Sequence, residues 1–276
     1  MIKDIVVNLP IGPARDVATD FAVSVAGTFD AHLTGVAFSY DPIIPIGDMY
    51  GIPSDVIQTQ RVENENAAKA AAAKLDDAAR GAAVSAQVRV VDTPVTSAPN
   101  LFAQIARRFD LSVLAQPEPD QPALDRLIVE AALFDSGRPL LVVPYIQRTG
   151  LKLDRVMVCW DGSRSAARAV ADAMPLIVRA KAAEIVIVAT EPPKSDEIPG
   201  ADIARHLARH GAKAEVQRIV ATEIDVASTI LSHAADSSAD LLVMGGYGHS
   251  RLREFILGGA TRGILAAMTV PTLMSH

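Results

Sequence analysis

Short apolar runs recur along the chain at 4–9, 33–38, 86–91, 111–115 and 140–143, and again at 155–160, 184–190, 214–220, 241–244 and 270–274. Each has the length of a buried strand. Between them, 14–28, 56–80, 97–108, 123–134, 163–180, 199–210, 223–236 and 258–267 place apolar residues at the three- and four-residue spacing of an amphipathic helix. Strands alternating with helices require crossovers, which are right-handed, and the product is a parallel sheet covered on both faces. Pro175, inside the 163–180 pattern, is expected to kink or break that helix.

The pattern occurs twice. Lys3-Asp4-Ile5-Val6-Val7 resembles Asp154-Arg155-Val156-Met157-Val158, an offset of about 151. Phe109-Asp110-Leu111-Ser112-Val113-Leu114 resembles Ala239-Asp240-Leu241-Leu242-Val243-Met244, and Arg138-Pro139-Leu140 resembles Val270-Pro271-Thr272, at offsets of about 130 and 132. The first half therefore carries roughly twenty extra residues, and 41–66, broken by Pro and Gly, is the place for them. The boundary is expected near 146–152. This gives a fold class of α/β with two tandem doubly wound domains, 1–147 and 152–276, each a five-stranded parallel sheet with helices on both faces. Their last strands, 140–143 and 270–274, are candidates for pairing inside one chain, as a pseudo-dimer, or between chains, as a homodimer.

Composition narrows the function. Half of the residues are apolar and 21% are charged, enough to build cores. A net charge of −6 gives no field to attract a phosphodiester backbone, so nucleic acid is not an expected partner. Cys159 is the only cysteine, which excludes an internal disulfide or a thiolate metal cage and fits a reducing compartment. It is expected to serve as a small apolar residue at a strand end. No apolar stretch approaches the ~20 residues of a membrane span. The start, MIKDIVVNLP, is interrupted by charge unlike a signal peptide, so a cytoplasmic location is expected.

The densest chemistry follows the strand at 241–244: Gly245-Gly246-Tyr247-Gly248-His249-Ser250-Arg251, then Gly258-Gly259-Ala260-Thr261 where a helix opens. Glycines after a strand admit positive φ and close approach of a ligand, and successive amides there suit a phosphate. A tight ligand-free turn is the alternative. The spacing Gly245-x2-Gly248-x9-Gly258 resembles the G-x2-G-x9-G-[S/T] signature of the ATP-binding universal stress proteins. Asp240 to Met244 and Leu257 to Thr261 also look like that family, and the resemblance extends more faintly over the whole chain.

The resemblance implies an adenine-nucleotide alpha-hydrolase-like fold and an adenine nucleotide, ATP, ADP or AMP, with or without Mg, bound in the C-terminal half. Gly245, Gly248 and Gly258 would offer amides to the phosphates, with Ser250 or Arg251 adding a donor. Asp161 would face the nucleoside, and the main chain of Thr190 the adenine. His249 is either a phosphate donor or an exposed loop residue, and Asp161 either a ligand contact or the cap of the following helix. The family's hydroxyl residue is replaced here by Gly259. A lost charge-assisted hydrogen bond costs on the order of 1.5–3 kcal/mol, roughly ten- to a hundred-fold in affinity, unless Thr261 compensates.

In the first half the corresponding loop is Gln116-Pro117-Glu118-Pro119-Asp120-Gln121-Pro122, where prolines remove donors and acids repel phosphate, so no nucleotide is expected there. His206, His210 and His233 read as helix-surface residues. No nucleophile, base and orienting acid can be assembled, so at most slow ATP hydrolysis is expected. The resulting expectation is a stress-response regulatory or protective protein. The alternative is a partner-binding protein whose nucleotide sites are both vestigial, with protein partners unnamed in either case.

Overall fold

The hydrogen bonds that bring the ends of sequence-distant segments together repeat between the halves. In the computed structural model, which describes residues 1–11, 16–42, 53–117, 123–189, 200–220, 225–246 and 259–276, the Asp110 carboxylate accepts from the backbone N–H groups of Lys3 and Asp4 at 2.8 and 3.1 Å. The Asp240 carboxylate accepts from those of Asp154 and Arg155, both at 2.9 Å. The similarity of 109–114 to 239–244 thus has a structural cause: in each half an aspartate ties the start of the first strand to that of the fourth.

The first half contains β1 (Asp4–Asn8), α1 (Val17–Phe29), β2 (His32–Tyr40), α2 (Ser54–Gly81), β3 (Ala86–Thr93), α3 (Ala98–Ala106), β4 (Leu111–Ala115), α4 (Ala123–Asp135) and β5 (Leu140–Val143). The second contains β6 (Arg155–Cys159), α5 (Arg164–Ile177), β7 (Ala182–Ala189), α6 (Ala201–Arg209), β8 (Ala214–Val220), α7 (Val226–Asp236), β9 (Leu241–Gly245), α8 (Gly259–Ala267) and β10 (Thr272–Ser275). Polar side chains start several helices: Ser163 and Asp225 accept first-turn N–H groups of α5 and α7, as N-caps do.

The ten strands among the described residues form one sheet, in the order β3-β2-β1-β4-β5-β10-β9-β6-β7-β8. Neighbours within each half are parallel. At the centre β10 pairs with β5 antiparallel, Thr272 opposite Val142 and Met274 opposite Leu140. The last strands therefore pair inside the chain. The two expected five-stranded parallel units are thus joined edge to edge into a single sheet, with an approximate two-fold relation at its middle. Because that central pair is antiparallel, the strand C-terminal ends of the two halves face opposite ends of the molecule.

Helices α1, α2, α5 and α6 cover one face, burying Phe21, Leu75, Leu176 and Leu207 among others. Helices α3, α4, α7 and α8 cover the other, with Phe102, Ile128, Ile230 and Ile264. Both clusters take residues from both halves, so each face has one continuous core. The connecting segment is also tied down, since Leu151 N–H donates to Ser24 Oγ at 2.9 Å. Arg179 donates to the Thr28 carbonyl at 2.8 Å, and its guanidinium lies 4.4 Å from the centre of the Phe29 ring.

Two expectations change here. Pro175 does not break α5, which runs on to Ile177; the proline falls in the last turn, where the helix is about to end. The extra length of the first half resides largely in α2, which has 28 residues where its counterpart α6 has 9. Only its C-terminal part packs, through Ala68, Ala71, Leu75 and Ala79. Residues 43–52, the rest of the proposed insertion, lie outside the described residues. Among the described residues, no helix is long and apolar enough to cross a membrane.

Candidate functional site

In an open α/β sheet, ligands sit beyond the strand C-terminal ends where neighbouring crossovers diverge. In the second half β6 and β9 are adjacent and parallel, so Asp161 and Gly245 lie at the same end of neighbouring strands. Beyond β6, Gly162 takes φ +74°, a conformation favouring glycine. The Asp161 carboxylate accepts from Ser163 N–H at 2.9 Å. Ser163 itself caps α5, its hydroxyl accepting from Ala166 N–H at 3.1 Å. Helix capping thus falls to Ser163, and the exposed Asp161 organises the turn leading into it.

At the end of β9 the two glycines are explained by their neighbours rather than by positive φ, which neither adopts. A Cβ on Gly245 would lie 2.5 Å from the backbone nitrogen of Ala166 and 2.6 Å from the carbonyl carbon of Ser165. The first turn of α5 therefore rests directly on this strand end. A Cβ on Gly246 would meet a methyl of Leu133, from α4 of the other half, at 3.0 Å. Gly246 is also held at both polar groups. Its N–H donates to the Ser275 carbonyl at 2.8 Å, and its carbonyl accepts from His276 Nδ1 at 3.0 Å. The His276 ring packs edge-on to Phe134, centroids 5.1 Å apart. Sequence reasoning missed His276, Leu133 and Phe134, the last two because they reach Gly246 and His276 across the middle of the sheet.

Of the other expected residues, Thr190, Gly248, His249, Ser250, Arg251 and Gly258 lie outside the described residues. Gly259 opens α8, and a Cβ there would meet nothing within 4 Å. Ala260 is half-buried and Thr261 is buried in the first turn of α8. The described groups thus include one exposed acceptor, the Asp161 carboxylate, and a helix start at Gly259 with room for a side chain. Both are compatible with a nucleotide at this end of the sheet.

The first half is built differently at the corresponding positions. Gln116 repeats the main-chain bond of Gly246, its N–H donating to the Val143 carbonyl at 2.7 Å. Its side chain is only 3% exposed and crosses to the other half, where Nε2 donates to the Leu265 carbonyl at 2.9 Å. Its Oε1 accepts from Tyr145 N–H at 3.4 Å. Leu265 O is among the last carbonyls of α8, groups with no partner within the helix. Tyr40 ends β2 where, counting along the paired strands, Thr190 follows β7. Burial, with Asp125 adding, pushes its phenol up to about 12. Residues 118–122 lie outside the described residues.

Elsewhere among the described residues, Cys159 and His233 are taken up by the packing. Burial, with Asp161 adding, pushes the Cys159 thiol up to about 12, against the thiolate that redox or nucleophilic use requires. His233 is not a plain surface residue: its Nε2 lies 3.0 Å from Glu184 Oε1 on β7, and both side chains are largely buried. Among the described residues, no group of three or more His, Cys, Asp or Glu could hold a metal ion.

Residues 152–276 match the model of the universal stress protein family. A universal stress protein of Synechocystis is 27% identical over 150 residues, 52% of this chain and 49% of the relative, so the chain spans about half the length of the curated relative it matches. A solved universal stress protein from Archaeoglobus fulgidus aligns over 98% of this chain and 95% of its own, with TM-score 0.67 and 16% identity. A functionally unknown protein from Pseudomonas aeruginosa aligns over 99% and 92%, with TM-score 0.63 and 15% identity. At such identities the likeness to the solved structures is one of fold.

Proposed function

We propose that this chain, whose residues 152–276 belong to the universal stress protein family, is a two-domain member that binds an adenine nucleotide in its C-terminal half only. The domains are taken as 1–147 and 152–276. The observation that carries the reading is the Gly245-x2-Gly248-x9-Gly258 spacing, which leaves a parallel strand beside the one that leads to Asp161. In this reading the amides of Gly245, Gly248 and Gly258 take the phosphates, and Asp161 and Thr190 take the nucleoside. Ser250, Arg251 or His249 adds a donor, and Mg accompanies the phosphates. The nucleotide alters contacts with protein partners in a cytoplasmic stress response. No general base is assigned, so any hydrolysis is slow.

A second reading is favoured by one observation. Gly245 is already accounted for by its contact with α5, so the glycines also suit a partner-binding protein with no ligand. Calorimetric titration with ATP, ADP and AMP separates the two. Binding by the intact protein and its loss in Gly248→Val support the first, whereas no heat at millimolar nucleotide from folded protein selects the second.

A further inference from the structure

The first half touches the glycine loop of the second where the chain enters it. Gly246 is the last described residue before the loop, and its N–H and C=O are both engaged, by Ser275 and His276. The peptide group leading out of Gly246 is planar, so fixing its carbonyl fixes the direction in which the chain leaves the strand. His276 is held in turn by the edge-on contact with Phe134, and the Leu133 side chain fills the space a Cβ on Gly246 would need. Leu133 is buried, and Phe134 is 36% exposed at the end of α4. The first half also holds α8, since Gln116 donates to a carbonyl in the last turn of that helix. A helix of nine residues is a rigid rod about 13 Å long, so an anchor at one end restrains the other.

We propose that Leu133 and Phe134 are positioning residues for Gly246, where the chain leaves the strand of the opposite half, Leu133 by direct contact and Phe134 through His276. The half without a phosphate loop thereby sets the affinity of the half that has one. The affinity part rests on the nucleotide reading above; the positioning part does not.

The test is ATP calorimetry together with hydrogen exchange of peptides covering 241–246 and 270–276, on the full chain. Phe134→Ala should weaken ATP by roughly three- to thirty-fold, the range of couplings carried through packed contacts. It should speed exchange at Gly246 while leaving β1 to β4 unchanged. Phe134→Tyr, which keeps the ring edge, should restore both. His276→Ala, which leaves the first half intact, should reproduce the Phe134→Ala effects, and it carries the test if Phe134→Ala does not fold. Unchanged exchange at Gly246 in these variants overturns the proposal, as does unchanged ATP affinity. If the parent protein binds no ATP, the nucleotide reading fails alone: faster exchange at Gly246 then still supports positioning, and unchanged exchange overturns it.

Discussion

At the end of β4 the chain reads Ala115-Gln116-Pro117, and at the matching end of β9 it reads Gly245-Gly246. Both second positions make the same main-chain bond to the neighbouring strand, and both meet the other half. What differs is the occupant of the space between. In the second half two glycines yield that space to the first turn of α5 and to the Leu133 side chain of the other half. In the first half the buried Gln116 occupies it and serves as a polar bolt between the halves. The lesson is that a strand end lacking the glycines of its counterpart is not an idle position, because Gln116 joins the two halves there.

Six substitutions probe this contrast, beginning with the largest effect. Gly245→Ala forces a methyl into the backbone of α5 and should destabilise the protein by about 1–3 kcal/mol, as overpacking does. Ala115→Gly in the first half should cost under about 1 kcal/mol. Denaturant midpoints measure both, and equal losses would show the strand ends to be equivalent after all. Gln116→Leu keeps the bulk but strands the Leu265 carbonyl and the Tyr145 N–H, and should cost about 1–3 kcal/mol by the same measurement. No loss would mean that the bolt carries nothing.

Gly259→Ser comes next. It enters open space and should leave stability nearly unchanged while tightening ATP about tenfold by restoring a donor. Unchanged affinity in calorimetry would show that the missing hydroxyl is immaterial. The smallest effect is confined to alkaline pH. In the fold Cys159 and Tyr40 ionise only near 12, against ordinary values of 9.0 and 10.0. The unfolded chain releases these protons first, so the stability they contribute is full below about pH 9 and is lost as pH rises towards 12. Cys159→Ala should remove the part of that decline starting near pH 9, and Tyr40→Phe the part starting near 10. A decline unaltered in both variants would exclude this assignment of one group to each half.

Much of the architecture was legible because it rests on local periodicity. The runs at 111–115 and 140–143 are β4 and β5 to the residue, and the helix expected over 123–134 is α4. The pairing of the last strands was foreseen, but whether it lay within or between chains was not, since both choices bury the same apolar residues. The glycines were legible as close-approach positions. Their neighbours were not: Leu133 and Gly246 are far apart in sequence, and no repeat spacing encodes a contact that crosses a pseudo-two-fold axis. His233 read as a surface residue because helical spacing places it beside polar positions, and only the packing of α7 on β7 brings Glu184 under it. Ser163 displaced Asp161 as the helix cap because Gly162 turns the chain and moves the cap two residues on.

The antiparallel seam between β5 and β10 has a consequence for assembly. When two subunits meet along such a seam, their union weakens on dilution and both must carry the same residues on either side. Here the partners are covalently joined, so the local concentration of one for the other is fixed by the tether and is indifferent to how much protein is present. The join also frees the two sides to diverge. A glutamine can serve on one side and a glycine on the other, an asymmetry that an assembly of identical chains cannot hold.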